Sequence, residues 1–139
     1  MQSSDDQSLI GRDESSELPG GSVGWILFDR SSTLTIVNEL TTVSLILDSY
    51  DKEFGDCLNQ PAKIIQPNGS STMKIRDATG PYGSKGWVTY TIGASGASVR
   101  IDFECPMLAN NIVHAKPESH ATVSYYDPSG PLRAEVRIH

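Results

Sequence analysis

Alternation of apolar and polar residues with a period of two dominates the chain after residue 22. In residues 99–105 every second side chain is apolar and the intervening side chains are charged, and residues 132–138 repeat the pattern. Such alternation predicts a β-strand with one buried face and one face in water. Further strands, rich in β-branched and aromatic residues, are predicted at 25–29, 33–37, 43–48, 72–76, 87–92 and 121–125.

Turn sequences separate the predicted strands. They include PNGS, TGPYGSKG, GASGAS and DPSGP, which combine glycine, proline and asparagine in the way that turns require. No segment shows the period of 3.6 residues that marks an amphipathic helix. We therefore predict an all-β protein, an antiparallel β-sandwich or barrel of seven or eight short strands.

The first 22 residues differ from the rest in composition. They are polar, and with five acidic residues and one arginine they account for −4 of the formal net charge of −6. A segment of this kind buries too little apolar surface to offset the entropy of ordering it. We predict a disordered acidic tail in residues 1–22 and a single β-sandwich domain in residues 23–139.

Charge and hydropathy narrow the range of partners. Lysine and arginine are scattered along the chain, which argues against a nucleic-acid-binding surface. No apolar run approaches the roughly 18 residues of a membrane-spanning helix. The polar start does not resemble a secretory leader. We expect a protein that is cytoplasmic or released without a signal peptide, and that associates with membranes only peripherally.

Motifs of known enzyme classes are missing from the sequence. It contains no Gly-x-Ser-x-Gly, His-Glu-x-x-His or Cys-x-x-Cys and no phosphate-binding loop motif. His114, Glu118 and His120 offer metal-ligating atoms, but their spacing fits neither strand nor helix geometry for a shared ion. We interpret the two histidines as loop residues, and we expect no enzymatic activity, no metal and no cofactor.

Cys57 and Cys105 are the only cysteines in the sequence. Cys105 follows Asp102 and Glu104, and acidic neighbours do not favour the thiolate that a nucleophile needs. We interpret Cys105 as a small apolar side chain at the end of a strand, because Pro106 cannot donate to a strand ladder. A disulfide between the two cysteines stays open as the alternative.

Several stretches resemble the aegerolysins, small lipid-binding β-sandwich proteins of fungi and bacteria. FECPM (103–107) is similar to the family's Trp-Asp-Cys-Pro-Trp, and SYDKEFGD (49–56) to its Ser-Trp-Gly-Lys segment. RDA (76–78) falls in its Arg-Ser-Asp-Ala element, and residues 83–86 fall in its Gly-Thr-Thr-Gly loop. The resemblance is collinear over residues 25–139, although no single motif in it is specific.

The resemblance implies a non-enzymatic protein that binds membrane lipid, with a sphingolipid as one candidate, and that serves a perforin-like partner in a two-component pore-forming system. The lipid-binding positions that it implies are Tyr50, Tyr82, Phe103, Met107 and Asn110. Tyrosine, phenylalanine and methionine replace the family's lipid-facing tryptophans at 50, 103 and 107. Tyr82 replaces an acidic residue and Asn110 a lysine. We therefore expect the fold to transfer better than the choice of lipid.

Aromatic and apolar side chains at loop tips are the candidates for contact with a lipid headgroup layer. They are Tyr50, Phe54, Tyr82, Met107 and Tyr126. Amphipathic rings are favoured at that depth of a membrane. The alternative is a carbohydrate-binding β-sandwich lectin with Trp87 and tyrosines as stacking platforms. A protruding apolar rim favours lipid, and a shallow polar groove favours sugar.

Overall fold

The computed structural model describes residues 29–78, 82–125 and 130–139. In these residues the chain forms ten β-strands and one short 3-10 helix, Glu118–His120. The strands are β1 (Ser32–Asn38), β2 (Leu45–Phe54), β3 (Asp56–Asn59), β4 (Ile64–Ile65), β5 (Ser70–Arg76), β6 (Ser84–Ile92), β7 (Ser98–Cys105), β8 (Ile112–Lys116), β9 (Ala121–Tyr125) and β10 (Leu132–Ile138).

The strands form two five-stranded sheets. The first has the order β3-β5-β1-β10-β9 and the second the order β4-β2-β6-β7-β8. The predicted β-sandwich is confirmed, with one departure from antiparallel pairing, since β1 lies parallel to β10. A parallel pair needs a long connection, and these two strands lie far apart in the sequence.

The core lies between the sheets and is filled by the apolar set of each alternating strand. In β7 and β10 the residues predicted to face inward are the buried ones. The first sheet contributes side chains such as Ile36 and Ile75, and the second contributes Val88, Tyr90 and Ile101. The Tyr90 hydroxyl donates to the Ala62 carbonyl at 2.6 Å, so its polar atom is satisfied where its ring is buried.

Most predicted strands are present, and three further strands escaped the sequence analysis. Residues 121–125 form β9 as predicted, and the stretch predicted at 43–48 belongs to a longer strand, β2. The missed strands β3, β4 and β8 are short. Residues 1–28, which carry the predicted tail and most of the strand predicted at 25–29, lie outside the described residues.

The interpretation of His114 as a loop residue is wrong. His114 lies in β8, where the exposed residues Ile112, His114 and Lys116 alternate with buried Val113 and Ala115. Pairing with β7 supplies the hydrogen bonds of this five-residue strand. So short a strand shows too little alternation of apolar and polar residues to be predicted from the sequence. His120 lies in the 3-10 helix instead.

One end of the sandwich collects many of the connections that bear on function. β1, β3, β6, β8 and β10 begin there, and β2, β5, β7 and β9 end there. The two sheets are linked at this end by the hydroxyls of Ser32 and Ser84, which lie 2.7 Å apart. The segments 76–78, 82–84 and 105–111 therefore lie close together although they are distant in sequence.

Candidate functional site: an apolar tip and an outer groove

A cluster of apolar side chains lies at this end of the sandwich, and we call it the apolar tip. It consists of Phe54, Tyr82, Met107 and Leu108. The rings of Phe54 and Tyr82 stack with their centroids 4.9 Å apart and their planes 19° apart. Tyr82 remains 54% exposed, so the stacked pair presents an apolar surface to the outside of the molecule.

Gly83 brings the Tyr82 turn against the loop that follows β7. Its φ is +76°, a conformation that side chains rarely adopt, and a Cβ at this position would lie 2.1 Å from the Cys105 carbonyl oxygen. The same Cβ would lie 3.2 Å from the Met107 nitrogen. A glycine is therefore required for the two loops of the tip to meet.

The loop of residues 106–111 carries the most exposed part of the tip. Leu108 is 93% exposed, Met107 is half-buried beside it, and Asn110 is exposed on the same loop. Single exposed apolar residues are common on protein surfaces. Here, however, Leu108 directly follows Met107, and the Met107 backbone lies against Gly83, the residue after Tyr82, so Leu108 projects from the same end of the sandwich as the stacked pair of Phe54 and Tyr82.

The side chain of Arg30 stabilises this loop through hydrogen bonds. Its side chain is buried, with only 5% of the residue exposed. The guanidinium donates to the carbonyls of Pro106 at 2.8 Å, Gly130 at 3.0 Å and Ala109 at 3.2 Å, and to Asn111 Oδ1 at 3.2 Å. A planar guanidinium fork satisfies several carbonyls at once, and it thereby fixes the path of the loop that exposes Leu108.

The backbone of Arg30 is anchored as firmly as its side chain. Its amide donates to Asp77 Oδ2 at 3.3 Å, and its carbonyl accepts from the Ser84 hydroxyl at 2.6 Å. Burial raises the pKa of the Asp77 carboxyl, while the hydrogen bond from Arg30 opposes that rise. The residue pair before β1, the residue after β5 and the first residue of β6 are thus joined directly beneath the tip.

Cys105 lies in the core at the base of the tip. Its Sγ donates to the Gly130 carbonyl at 3.5 Å, and burial raises the pKa of its thiol. A neutral, buried thiol lacks the thiolate character of a nucleophile. Cys57, half-buried in β3, also has a raised pKa because of burial. Both cysteines are free, so the structure contains no disulfide between them.

A groove lies on the outer face of the second sheet, beside the tip, and we call it the outer groove. Its volume is about 340 Å³. The side chains around it come from neighbouring positions on β6, β7 and β8, where Lys85 pairs with Glu104 and Glu104 with Ile112. The residues that line it are Lys85, Gly86, Asp102, Phe103, Glu104, Ile112 and His114.

Trp87 lies next to the outer groove on the same face of the sheet. It pairs with Asp102, which pairs in turn with His114. The guanidinium of Arg100 lies 4.4 Å from the centre of the Trp87 ring and also forms an ion pair with Asp102 at 3.0 Å. One face of the ring is therefore covered by a cation.

The structure brings together some of the residues that the sequence analysis proposed as lipid-binding and separates others. Tyr82 and Met107 lie in the tip, and Asn110 lies on the tip loop. Tyr50 is half-buried in β2 and packs against the core. Phe103 is a core residue, only 2% exposed, so its ring is not offered to a membrane. Tyr126 lies outside the described residues.

Leu108 and Arg30 are not among the site residues that the sequence predicts. Leu108 follows FECPM in a short polar loop and carries no periodic signal. Arg30 stands between an aspartate and two serines, which reads as a solvent-exposed turn. Only the convergence of loops that are distant in sequence buries Arg30, and only the path of its loop exposes Leu108.

Other kinds of site receive no support from the described residues. In them, no group of three or more histidine, cysteine or acidic side chains is arranged to hold a metal ion. Nor does any helix in the described ranges have the length and apolar character needed to cross a bilayer.

Comparisons with known proteins give matches at the level of fold. Neither the protein-family models nor the curated proteins include a match to this chain. Among solved structures, the lipid binding protein Nakanori is similar with a TM-score of 0.65 at 10% identity, over 77% of this chain and 69% of Nakanori.

Two further solved structures are similar over most of their length. The protein IP-1A from Alcaligenes faecalis has a TM-score of 0.56 at 15% identity, over 82% of this chain and 96% of IP-1A. The RahU protein, solved in complex with a Tris molecule, has a TM-score of 0.58 at 11% identity, over 78% of this chain and 95% of RahU. The chain therefore has the β-sandwich fold of these three proteins, one of which binds lipid.

Proposed function

We propose that this protein is a non-enzymatic, peripheral membrane-lipid-binding protein that inserts its apolar tip into the lipid surface. The observation that carries the proposal is the position of Leu108, which is 93% exposed on a loop held by a buried arginine. A loop fixed in this way gains no folding stability from projecting a leucine into water. Projection of an apolar side chain is useful where that side chain meets an apolar phase.

The rest of the tip fits the same use. Phe54 and Tyr82 are stacked, which gives a rigid aromatic surface, and the turn that carries Tyr82 lies against the loop that carries Met107 and Leu108. Full burial of a leucine or methionine side chain contributes about 1.5–3 kcal/mol, and tyrosine suits the boundary between headgroups and acyl chains. The tip is already formed in the free protein, so little loop-ordering entropy is lost on binding.

The similarity to Nakanori, a lipid binding protein, supports the proposal at the level of fold. The resemblance to aegerolysins extends it to a sphingolipid-type lipid and to a perforin-like partner that joins the protein on the membrane. A vesicle-leakage assay tests that extension, because this protein alone should bind vesicles without releasing their contents.

Vesicle cosedimentation tests the proposed tip. Leu108→Ser and the double change Tyr82→Ser with Met107→Ser should each weaken binding to phosphatidylcholine–sphingomyelin vesicles by about tenfold or more, as loss of one or two buried apolar side chains implies. The matched control is Ile64→Ser, which removes a 51% exposed apolar side chain from β4 at the opposite end of the sandwich. This control should bind as wild type does.

Two results would contradict the proposal. One is that Leu108→Ser and the double variant, both folded, pellet with vesicles to the same extent as wild type. The other is a loss of binding in Ile64→Ser as large as the loss in the tip variants, which would indicate a different surface.

The alternative function is that of a lectin for soluble glycans. The outer groove beside Trp87, which includes the carboxylates of Asp102 and Glu104, favours it, although Arg100 covers one face of the Trp87 ring. Binding to a glycan array, together with no binding to any vesicle, would replace the lipid-binding proposal with this one.

A further inference from the structure

We propose that the outer groove binds the uncharged sugar of a glycolipid headgroup while the apolar tip contacts the acyl boundary. This inference rests on the proposed lipid-binding function and names the ligand class. It is carried by the position of the groove, by its balance of charges and by the carboxylate of Glu104, which has no ion-pair partner in the part of the chain that the structure describes.

The distance between the groove and the tip suits simultaneous contact with one lipid. Lys85, Glu104 and Ile112 form the row of paired residues next to Ser84 and Cys105, which close the sandwich beneath the tip. Lys85 lies three positions after Tyr82, a distance of about 10 Å at most along an extended chain. Interfacial segments insert about 5–10 Å into the headgroup and acyl boundary. A tip inserted to that depth places the groove among the headgroups.

Within residues 29–78, 82–125 and 130–139, the charged side chains around the groove include one carboxylate that has no ion-pair partner. Lys85 forms an ion pair with Glu53 at 3.3 Å, and Arg100 forms one with Asp102 at 3.0 Å. Glu104 is half-buried and has neither an ion pair nor a side-chain hydrogen bond among the residues that the structure describes. The excess negative charge disfavours phosphate, sulfate and sialic acid groups.

The chemistry of the lining suits a sugar ring. The Glu104 carboxylate can accept hydrogen bonds from hydroxyls, and charge-assisted bonds of this kind are among the stronger ones. Lys85 and His114 supply further polar atoms, while Ile112 supplies an exposed apolar side chain against which a C–H face can pack. A volume of about 340 Å³ lies at the small end of the usual range for ligand sites, about 300–1,000 Å³, which suits a short headgroup.

The test compares phosphatidylcholine vesicles with vesicles that also contain glucosylceramide, galactosylceramide or its sulfated form, each at the same molar fraction. Wild-type protein should bind at least one of the uncharged glycolipid vesicles about tenfold more tightly than plain vesicles. The sulfated lipid should give no such increase. Glu104→Gln should lose the increase and retain its binding to plain vesicles, while the control Glu118→Gln, at an exposed carboxylate of the 3-10 helix, should retain both.

A second measurement separates the groove from the tip. Methyl glucoside or methyl galactoside, added without vesicles, should shift the amide NMR signals of residues 102, 104 and 114, and should not do so in Glu104→Gln. The same shifts without any preference for glycolipid vesicles would identify a soluble glycan as the ligand and overturn the headgroup assignment.

Other outcomes overturn the inference and leave the proposed function standing. These are tighter binding to the sulfated lipid than to its uncharged parent, or a glycolipid preference that survives Glu104→Gln in a folded protein. One outcome would instead support the inference. If Leu108→Ser loses binding to every vesicle but keeps the sugar-induced NMR shifts, the groove binds sugar independently of the tip.

Discussion

Replacement of Arg30 by lysine should destabilise the protein and loosen the tip loop. Lysine keeps the positive charge but replaces the planar fork of the guanidinium with a single ammonium centre. It can therefore serve only part of the set of acceptors that Arg30 now bonds, the carbonyls of Pro106, Ala109 and Gly130 and the side chain of Asn111.

The expected magnitude follows from those bonds. A hydrogen bond to a charged group contributes about 1.5–3 kcal/mol, and more than one of them is lost. Carbonyls of a surface loop regain water, which offsets part of the loss. We therefore expect the free energy of unfolding to fall by about 3 kcal/mol, a large share of the 5–15 kcal/mol typical of a domain. Tm should fall by roughly 10 °C for a chain of this size.

Chemical denaturation followed by circular dichroism measures the loss of stability. Amide hydrogen exchange should show that residues 107–111 lose more protection than the strands of the second sheet. The control is Arg133→Lys, the same substitution at an exposed position of β10, which should change stability by no more than about 0.5 kcal/mol.

An Arg30→Lys protein whose free energy of unfolding lies within about 0.5 kcal/mol of the wild-type value, with unchanged amide exchange in residues 107–111, would refute this role of the guanidinium. That result would mean that the loop keeps its path without the guanidinium. Weakened vesicle binding in the folded Arg30→Lys protein, by contrast, would link the arginine to function through the position of Leu108.

Further predictions concern the base of the tip and the nature of binding. Cys105→Ala should cost about 1 kcal/mol and Cys105→Asp far more, since it buries a charge; equal denaturation midpoints for the two would contradict a core role for the thiol. Gly83→Ala should destabilise more than Gly96→Ala, because both have positive φ but only the Cβ at Gly83 meets backbone within 4 Å; urea denaturation of the pair decides this. Burial raises the folded-state pKa of Asp77, so the stability that its carboxyl contributes is present below its unfolded-state pKa and is lost as pH rises through the folded-state value. Asp77→Asn should therefore gain stability over wild type near neutral pH, and denaturation curves over a pH series should show that gain shrinking on acidification. Vesicle binding should change little as salt rises, because residues 23–139 carry only −2 of the net charge and apolar burial is not screened; cosedimentation in which moderate salt abolishes binding would contradict an apolar tip.

Much of the fold could be predicted from the sequence because alternation with a period of two is a local property. The pattern in residues 99–105 and 132–138 assigned the buried faces of β7 and β10 correctly. It also identified Cys105 as a core residue rather than an exposed nucleophile. In these strands each side chain's direction follows from its neighbours along the chain.

The candidate site was only partly predictable, because its parts come together from distant loops. Resemblance to a family pointed to Tyr82 and Met107, and the structure places both in the tip. The same resemblance pointed to Phe103, whose ring the alternation of β7 directs into the core. Leu108 gave no signal, since an exposed leucine in a loop looks in sequence like any other.

The sequence by itself determined that this chain forms strands, which faces of them are apolar, and that its charge is concentrated before residue 23. Tertiary structure decided the parallel pairing of β1 with β10, the burial of Arg30 and the exposure of Leu108. The physical reason is that strand alternation is set by neighbouring residues. The environment of a loop arginine or a loop leucine is set by chain segments 50 to 100 residues away, which only folding brings together.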